Sequence, residues 1–201
     1  MLKQKSLIVA IFLTGSMLIT GCSQSEEYST SDNVVIDEVV TKVVTDEVIN
    51  GYLLPPEPDP EINNETLLGI DSNENGVRDD VERWIIKKYQ DKHKIVTEIG
   101  LQGARAAQII IQEPEKARET MVYFDRAVDC EMYFELVSDT KFVDKPIIGK
   151  DFDEIQFKTA LRARAYGLYN ATLRGGVYDT PTTTEWLNGC DFNVIKIMEE
   201  S

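Results

Sequence analysis

Basic residues, histidine and cysteine are all scarce in this chain. Its 201 residues hold one histidine, three cysteines and 21 Lys+Arg against 35 Asp+Glu. One histidine excludes a zinc site built from several. The formal charge of −14 argues against nucleic acid as a partner, because phosphate binding needs basic patches. No G-x-S-x-G elbow, HExxH pair, P-loop or Rossmann fingerprint occurs. Gly167 and the Gly175-Gly176 pair build no phosphate loop. No uninterrupted apolar run reaches membrane-spanning length. The stretch from Ser6 to Gly21 has 16 residues, about 24 Å as a helix against a hydrocarbon core of about 30 Å. A chain of this size has room for one domain with appendages and for a real core.

What is present starts with an address. Lys3 and Lys5 precede the apolar run Leu7 to Ile19, the n-region and h-region of an export signal. The run ends in Leu18-Ile19-Thr20-Gly21-Cys22. This resembles the bacterial lipobox, in which the cysteine is acylated and the chain is cut before it. The resemblance implies lipidation at Cys22, a mature chain starting there, and membrane attachment through the lipid anchor. Several acyl chains on one cysteine anchor stably, at about 0.8 kcal/mol per buried methylene. Ser23 after the cysteine, rather than Asp, resembles the outer-membrane-sorted class. The expected location is the cell envelope, facing periplasm or exterior.

Removing residues 1–21 takes away two lysines and no acid, which leaves −16. Ten acids and one lysine, Lys42, fall between Cys22 and Glu61. More than half of the mature charge is therefore expected on a tether, residues 22–61. Its first part, Ser23 to Asn33, is polar enough to be disordered. Val34 to Ile49 repeats valine pairs between polar residues. Its composition favours extended structure, yet its spacing also permits a helix. It reads as a loose tether, or as a strand that docks on a partner. Pro55, Pro56, Pro58 and Pro60 should form a stiff spacer, with the folded domain at 62–201.

Residues 71–82 carry the chemistry. Asp-Ser-Asn-Glu-Asn-Gly-Val-Arg-Asp-Asp-Val-Glu satisfies D-x-[DN]-x-[DN]-G-x5-E throughout. Calcium takes six to eight oxygen ligands at about 2.3–2.6 Å. Asp71, Asn73 and Asn75 alternate along a turning backbone, so their oxygens can converge. Gly76 permits the reversal. Val77 would offer its backbone carbonyl, Asp79 would bind directly or through water, and Glu82 would close the site from the next helix. The loop resembles the EF-hand, and in its details the thrombospondin type-3 and dockerin-like loops. The chain departs from paired EF-hands in two ways. Arg78 stands where they carry an apolar β-branched residue, and no second loop occurs. A sensor that moves paired helices is thus disfavoured. Three charged ligands imply an extracellular-type site, with a dissociation constant on the order of 10⁻⁵–10⁻³ M. The expected cofactor is structural Ca2+, fixing where the first long helix begins.

Beyond the loop the pattern is helical. Asp79 and Asp80 favour a helix start, and Val81, Trp84, Ile85 and Tyr89 follow at helical spacing. Val96, Ile99, Ala107, Ile110 and Ile111 make a second face. Pro114 starts a third helix, with Ala117, Met121, Phe124, Val128 and Met132 on one side. Asp139 to Lys150 reads as a loop. Asp151 and Glu154 stand at capping-box spacing before a helix whose face is Phe157, Leu161, Ala165, Leu168 and Thr172. The expected fold is all-α, a small bundle of four to five helices with the calcium loop ahead of the first long one.

With Cys22 assigned to lipid, Cys130 and Cys190 are expected to form a disulfide. His93 suits a surface residue near a helix end better than a catalytic base or metal ligand. Arg162, Arg164 and Arg174 with Tyr166, Tyr169 and Tyr178 form either an interface cluster or a polar helix face. The expected function is a calcium-binding envelope lipoprotein with a non-enzymatic binding or structural role, its partner an envelope protein or glycan. The alternative is a periplasmic hydrolase using a carboxylate pair.

Overall fold

The computed structural model describes residues 47–178 and 182–200. Cys22, the export segment and most of the tether lie outside the described residues. Within them the chain is all-α, with seven helices and one two-stranded hairpin.

The hairpin comes first. β1 (Val48–Ile49) pairs antiparallel with β2 (Tyr52–Leu53) around Asn50-Gly51, a dipeptide suited to two-residue turns. The Tyr52 hydroxyl donates to Glu98 Oε1 at 2.8 Å. Downstream, Leu54, Pro55 and Pro58 are buried, and Arg83 donates to the Pro55 carbonyl at 2.6 Å. Of the four prolines expected as a stiff spacer, Pro55 and Pro58 are thus packed against the domain, and Pro56 and Pro60 are exposed.

α1 (Pro60–Glu65) is one short turn capped by Asp59, whose carboxylate accepts from the Glu61 and Ile62 amides. α2 (Asp79–Lys88) starts with Asp79, Asp80 and Glu82 and ends with Lys87 and Lys88, charges that complement the helix dipole at both ends. α3 (Lys94–Gln112) is the axis of the bundle. Fourteen of its 19 residues are buried, so it has neighbours on nearly every side. Its N-cap is His93, whose Nδ1 accepts from the Ile95 amide at 3.2 Å.

A 3₁₀ turn at Pro114–Lys116 leads into α4 (Ala117–Met132), which runs on through a wide π turn at Tyr133–Val137. After the loop come α5 (Lys150–Gln156) and α6 (Ala160–Leu173). A second 3₁₀ turn, Trp186–Gly189, lies against α4, and α7 (Val194–Glu199) ends the described chain. No helix among the described residues is long and apolar enough to cross a membrane.

Two cores meet along α3. One joins Val77, Val81 and Ile85 with Ala107, Ile110, Phe152 and Tyr169. The other joins Ile95 and Ile99 with Cys130, Phe134, Val143 and Ile147. The last is anchored by a buried acid on α4. The Glu131 carboxylate accepts from the Ile147 and Ile148 amides, which shapes the loop between α4 and α5. Burial raises the proton affinity of Glu131, and those two amides oppose the rise.

Two expectations are corrected here. One helix was expected from Asp151 through Thr172, but it breaks at Phe157 and restarts at Thr159, whose hydroxyl caps α6 by accepting from the Arg162 amide. Asp151 is not a cap; its carboxylate pairs with Lys88 Nζ at 2.7 Å. The buried face of α6 is also rotated. Leu161 and Leu168 are exposed at 47% and 49%, while Arg162 and Tyr169 are buried at 0% and 4%. The reason lies below α6, in carbonyls that need a donor.

Candidate metal centre

The loop before α2 is wound by its own short polar side chains. The Asp71 carboxylate accepts from the Asn75 amide at 3.1 Å and the Gly76 amide at 2.9 Å. Asn75 Oδ1 accepts from the Val77 amide at 2.8 Å. Asp and Asn commonly stabilise turns in this way, by bonding backbone a few residues on. The loop closes at its base. Asp79 N donates to the Ile70 carbonyl at 2.8 Å, and Ser72 N donates to Asp79 Oδ1 at 2.9 Å. Gly76 has φ +82, a backbone region that costs an ordinary residue about 1–2 kcal/mol.

Three of the six expected ligands meet at one atom. Glu82, in the first turn of α2 and only 5% exposed, accepts at Oε2 from Asn73 Nδ2 at 3.1 Å and Asn75 Nδ2 at 2.9 Å. Burial raises the proton affinity of Glu82; the two amides lower it, and Asp79 and Asp71 raise it further. Those two acids therefore face Glu82 closely enough to oppose its charge. Val77 and Asp79 are buried beside it.

The residues suit a hard cation by donor type. Asp71, Asp79 and Glu82 offer carboxylates, Asn73 and Asn75 offer amide oxygens once rotated by half a turn, and Val77 offers a carbonyl. All are oxygen ligands, the set calcium takes. As the side chains stand, however, no three acids, histidines or cysteines among the described residues form a metal-holding group. Asp71 and Asp79 are turned toward backbone amides, and the asparagine nitrogens face the carboxylate.

Two buried arginines hold this loop in place. Arg78 is at the position where paired loops bridge to each other. It is fully buried and instead reaches α5, donating to the Gln156 carbonyl at 3.2 Å and the Ile155 carbonyl at 2.9 Å. Its Nε pairs with Asp80, which also takes Lys158 Nζ at 2.6 Å. Burial opposes ionisation of Asp80, but Arg78 and Lys158 outweigh it and hold the carboxyl below its usual range.

Arg162, equally buried, gathers the segment that leads into the loop. It donates to the Leu67 carbonyl at 2.9 Å, the Thr66 carbonyl at 3.2 Å, Asn64 Oδ1 at 3.2 Å, and the Asn63 carbonyl. Burial first, then Arg78, bring its pKa down to about 10, with Asp80 opposing.

Gly69 threads between the two guanidinium stems with φ +71, and a Cβ there would collide with Arg78 Cδ, Asn63 Oδ1 and Arg162 Nη2. Gly69→Ala combines a left-handed backbone with that collision. It should destabilise the domain by about 2–4 kcal/mol. Thermal unfolding of the variant measures this, and an unchanged melting temperature would refute the crowding.

The remaining candidates separate. The single histidine is a helix cap; its ring stacks on Phe142 with centroids 4.0 Å apart, and burial lowers its pKa. The Arg/Tyr cluster divides. Arg162 and Tyr169 point into the core, Arg164 and Arg174 are exposed, and Tyr166 stacks on Phe157 at 4.0 Å. Cys130 and Cys190 are joined Sγ to Sγ across a separation of 60 residues. Sequence reasoning missed Arg78 and Arg162 as buried scaffolding, since patterning treats arginine as a surface residue. It also missed the convergence on one pocket of Lys88 and Lys92 with Lys145, which is more than 50 residues downstream. No known family model, curated protein or solved structure matches this chain.

Proposed function

We propose that the chain is a calcium-binding lipoprotein of the cell envelope. In this reading it is anchored through Cys22, and calcium fixes the start of α2 in a domain with a binding or structural role. The observation that carries it is the convergence of Asn73, Asn75 and Glu82 at the base of α2, within a loop that has the full calcium spacing. Asp71 and Asp79 oppose the charge on Glu82, an opposition that a divalent cation would relieve. Arg78 supports a solitary loop, because it ties position eight to α5 in place of a partner loop. The anchor is supported by the lipobox-like residues before Cys22.

The hydrolase reading finds less support. A general acid needs a raised pKa. Asp144 and Asp151, which line one cavity between α2 and the α4–α5 loop, are shifted the other way. Asp144 is lowered by its own backbone amide and then by Lys92, and Asp151 by Lys88.

Titration calorimetry of the full chain in detergent tests the calcium reading. Saturable heat is expected with a dissociation constant on the order of 10⁻⁵–10⁻³ M, and it should vanish in Asp71→Ala and in Glu82→Gln. Absence of heat at millimolar calcium would sink it. The anchor is tested separately by radiolabelled palmitate, whose incorporation should be lost in Cys22→Ser.

A further inference from the structure

Positive charge is unevenly spread in this acidic protein. Lys87, Lys88, Lys92 and Lys94, with Lys141, Lys145 and Lys150, are seven of the ten lysines after residue 62. Lysines at the end of α2 suit the helix dipole, but that does not explain those in the α4–α5 loop. Three of the seven, Lys88, Lys92 and Lys145, line a pocket of about 360 Å³ between the end of α2 and that loop. Its floor is apolar. Val96, Val143 and Ile147 line it and are each 3% exposed. Its rim carries Lys88, Lys92 and Lys145.

The rim already shows what it prefers. Lys88 Nζ holds the Asp151 carboxylate at 2.7 Å, and Lys92 Nζ lies 3.4 Å from Asp144. Both aspartates are 69% exposed, so water can take over from either lysine at little cost. Lys145 makes no ion pair within 4.0 Å among the described residues.

An apolar floor with a few convergent charged groups is the usual make-up of a small-molecule site, and this volume is at the small end of the common range of about 300–1,000 Å³. Net negative charge elsewhere would repel an anion, so three lysines at one mouth act as a local funnel. We propose that this pocket binds a small organic carboxylate with an apolar body. The carboxylate sits among Lys88, Lys92 and Lys145, and the body lies on Val96, Val143 and Ile147. Asp144 and Asp151 act as internal competitors for the same lysines.

The site is independent of the calcium loop, so the test does not depend on the ion. Methyl NMR of the full chain in detergent reports on Val96, Val143 and Ile147 directly. The probe is 3-phenylpropionate, and 3-phenylpropanol is its uncharged control. Saturable shifts confined to these methyls are expected, with millimolar-order affinity for the acid and about tenfold weaker binding of the alcohol. Lys145→Gln should weaken the acid about fivefold, and Asp144→Asn with Asp151→Asn should tighten it about fivefold. All three residues are exposed, so the fold should tolerate each change, and the unliganded methyl spectrum checks this. Equal binding of the alcohol, no shift at 20 mM probe (roughly the weak limit for so small a ligand), or no tightening in the double asparagine variant would overturn the proposal.

Discussion

Arg162→Leu is expected to lower the urea midpoint of the domain by about 2 M, with an unchanged slope. Two effects compete. A buried guanidinium carries a desolvation cost, visible in a pKa brought down to about 10, and a leucine of similar reach would remove that cost. Against it stand the carbonyls of Asn63, Thr66 and Leu67 and the side chain of Asn64, all of which accept from this one group. A buried acceptor left without a donor costs about 1–3 kcal/mol. The Asn63 acceptor is buried and the other three are partly buried, and together they outweigh a desolvation gain of a few kcal/mol. A net loss of about 4 kcal/mol follows, a large part of the 5–15 kcal/mol that typically holds a domain together. Arg162→Lys is the informative companion. It keeps the charge but cannot fork toward four acceptors, so it should recover less than half of the loss. A midpoint within about 0.5 M of the parent for the leucine variant would mean that segment 63–67 is held by something else.

The second large effect is redox. Cys130 on α4 and Cys190 beyond the second 3₁₀ turn close a loop of 60 residues, worth roughly 4 kcal/mol in the chain-entropy model. The contacts behind it are mostly apolar and partly exposed: Trp186 is buried, and Phe192, Val194 and Ile197 pack on the second core. Gln102 donates to the Gly189 carbonyl at 2.8 Å, and Arg105 holds Asp191. α7 has no buried residue at all. Reduction, or Cys130→Ser with Cys190→Ser, should therefore release residues 186–199 before the rest of the bundle. Hydrogen exchange should show that segment unprotected in the reduced protein while α3 stays protected. Equal protection in both forms would refute the tie.

The contrast between α3 and α6 shows what patterning can read. In α3 the apolar residues Val96, Ile99, Ala107, Ile110 and Ile111 are all buried, because hydrophobic burial dominates that helix. α6 has a far weaker apolar face, its apolar residues being spread around the helix, and Leu161 and Leu168 face outward. Its orientation is set by polar demand. Carbonyls of segment 63–67 lack partners in any ladder, and Arg162 is the donor within reach. That demand arises from a chain reversal almost 100 residues away, which no local window contains. The break between α5 and α6 had a local sign in Thr159, a good N-cap residue, but neither proline nor glycine marked it. The loop 71–82 was legible as spacing. How its asparagines orient was not, since an amide can offer either end to the same neighbour.

The reach of Arg162 also has a consequence for the order of folding. All six expected ion ligands lie within twelve consecutive residues, so a short fragment would contain the whole ligand set. The segment that delivers the chain to Asp71 is held by a side chain 95 to 99 residues downstream, and Arg78 rests on carbonyls 77 and 78 residues downstream. Contacts of such sequence separation form late, after their loop-closure entropy is offset. During synthesis, then, a nascent chain that has passed Glu82 but not Arg162 carries the ligands without the frame that positions them.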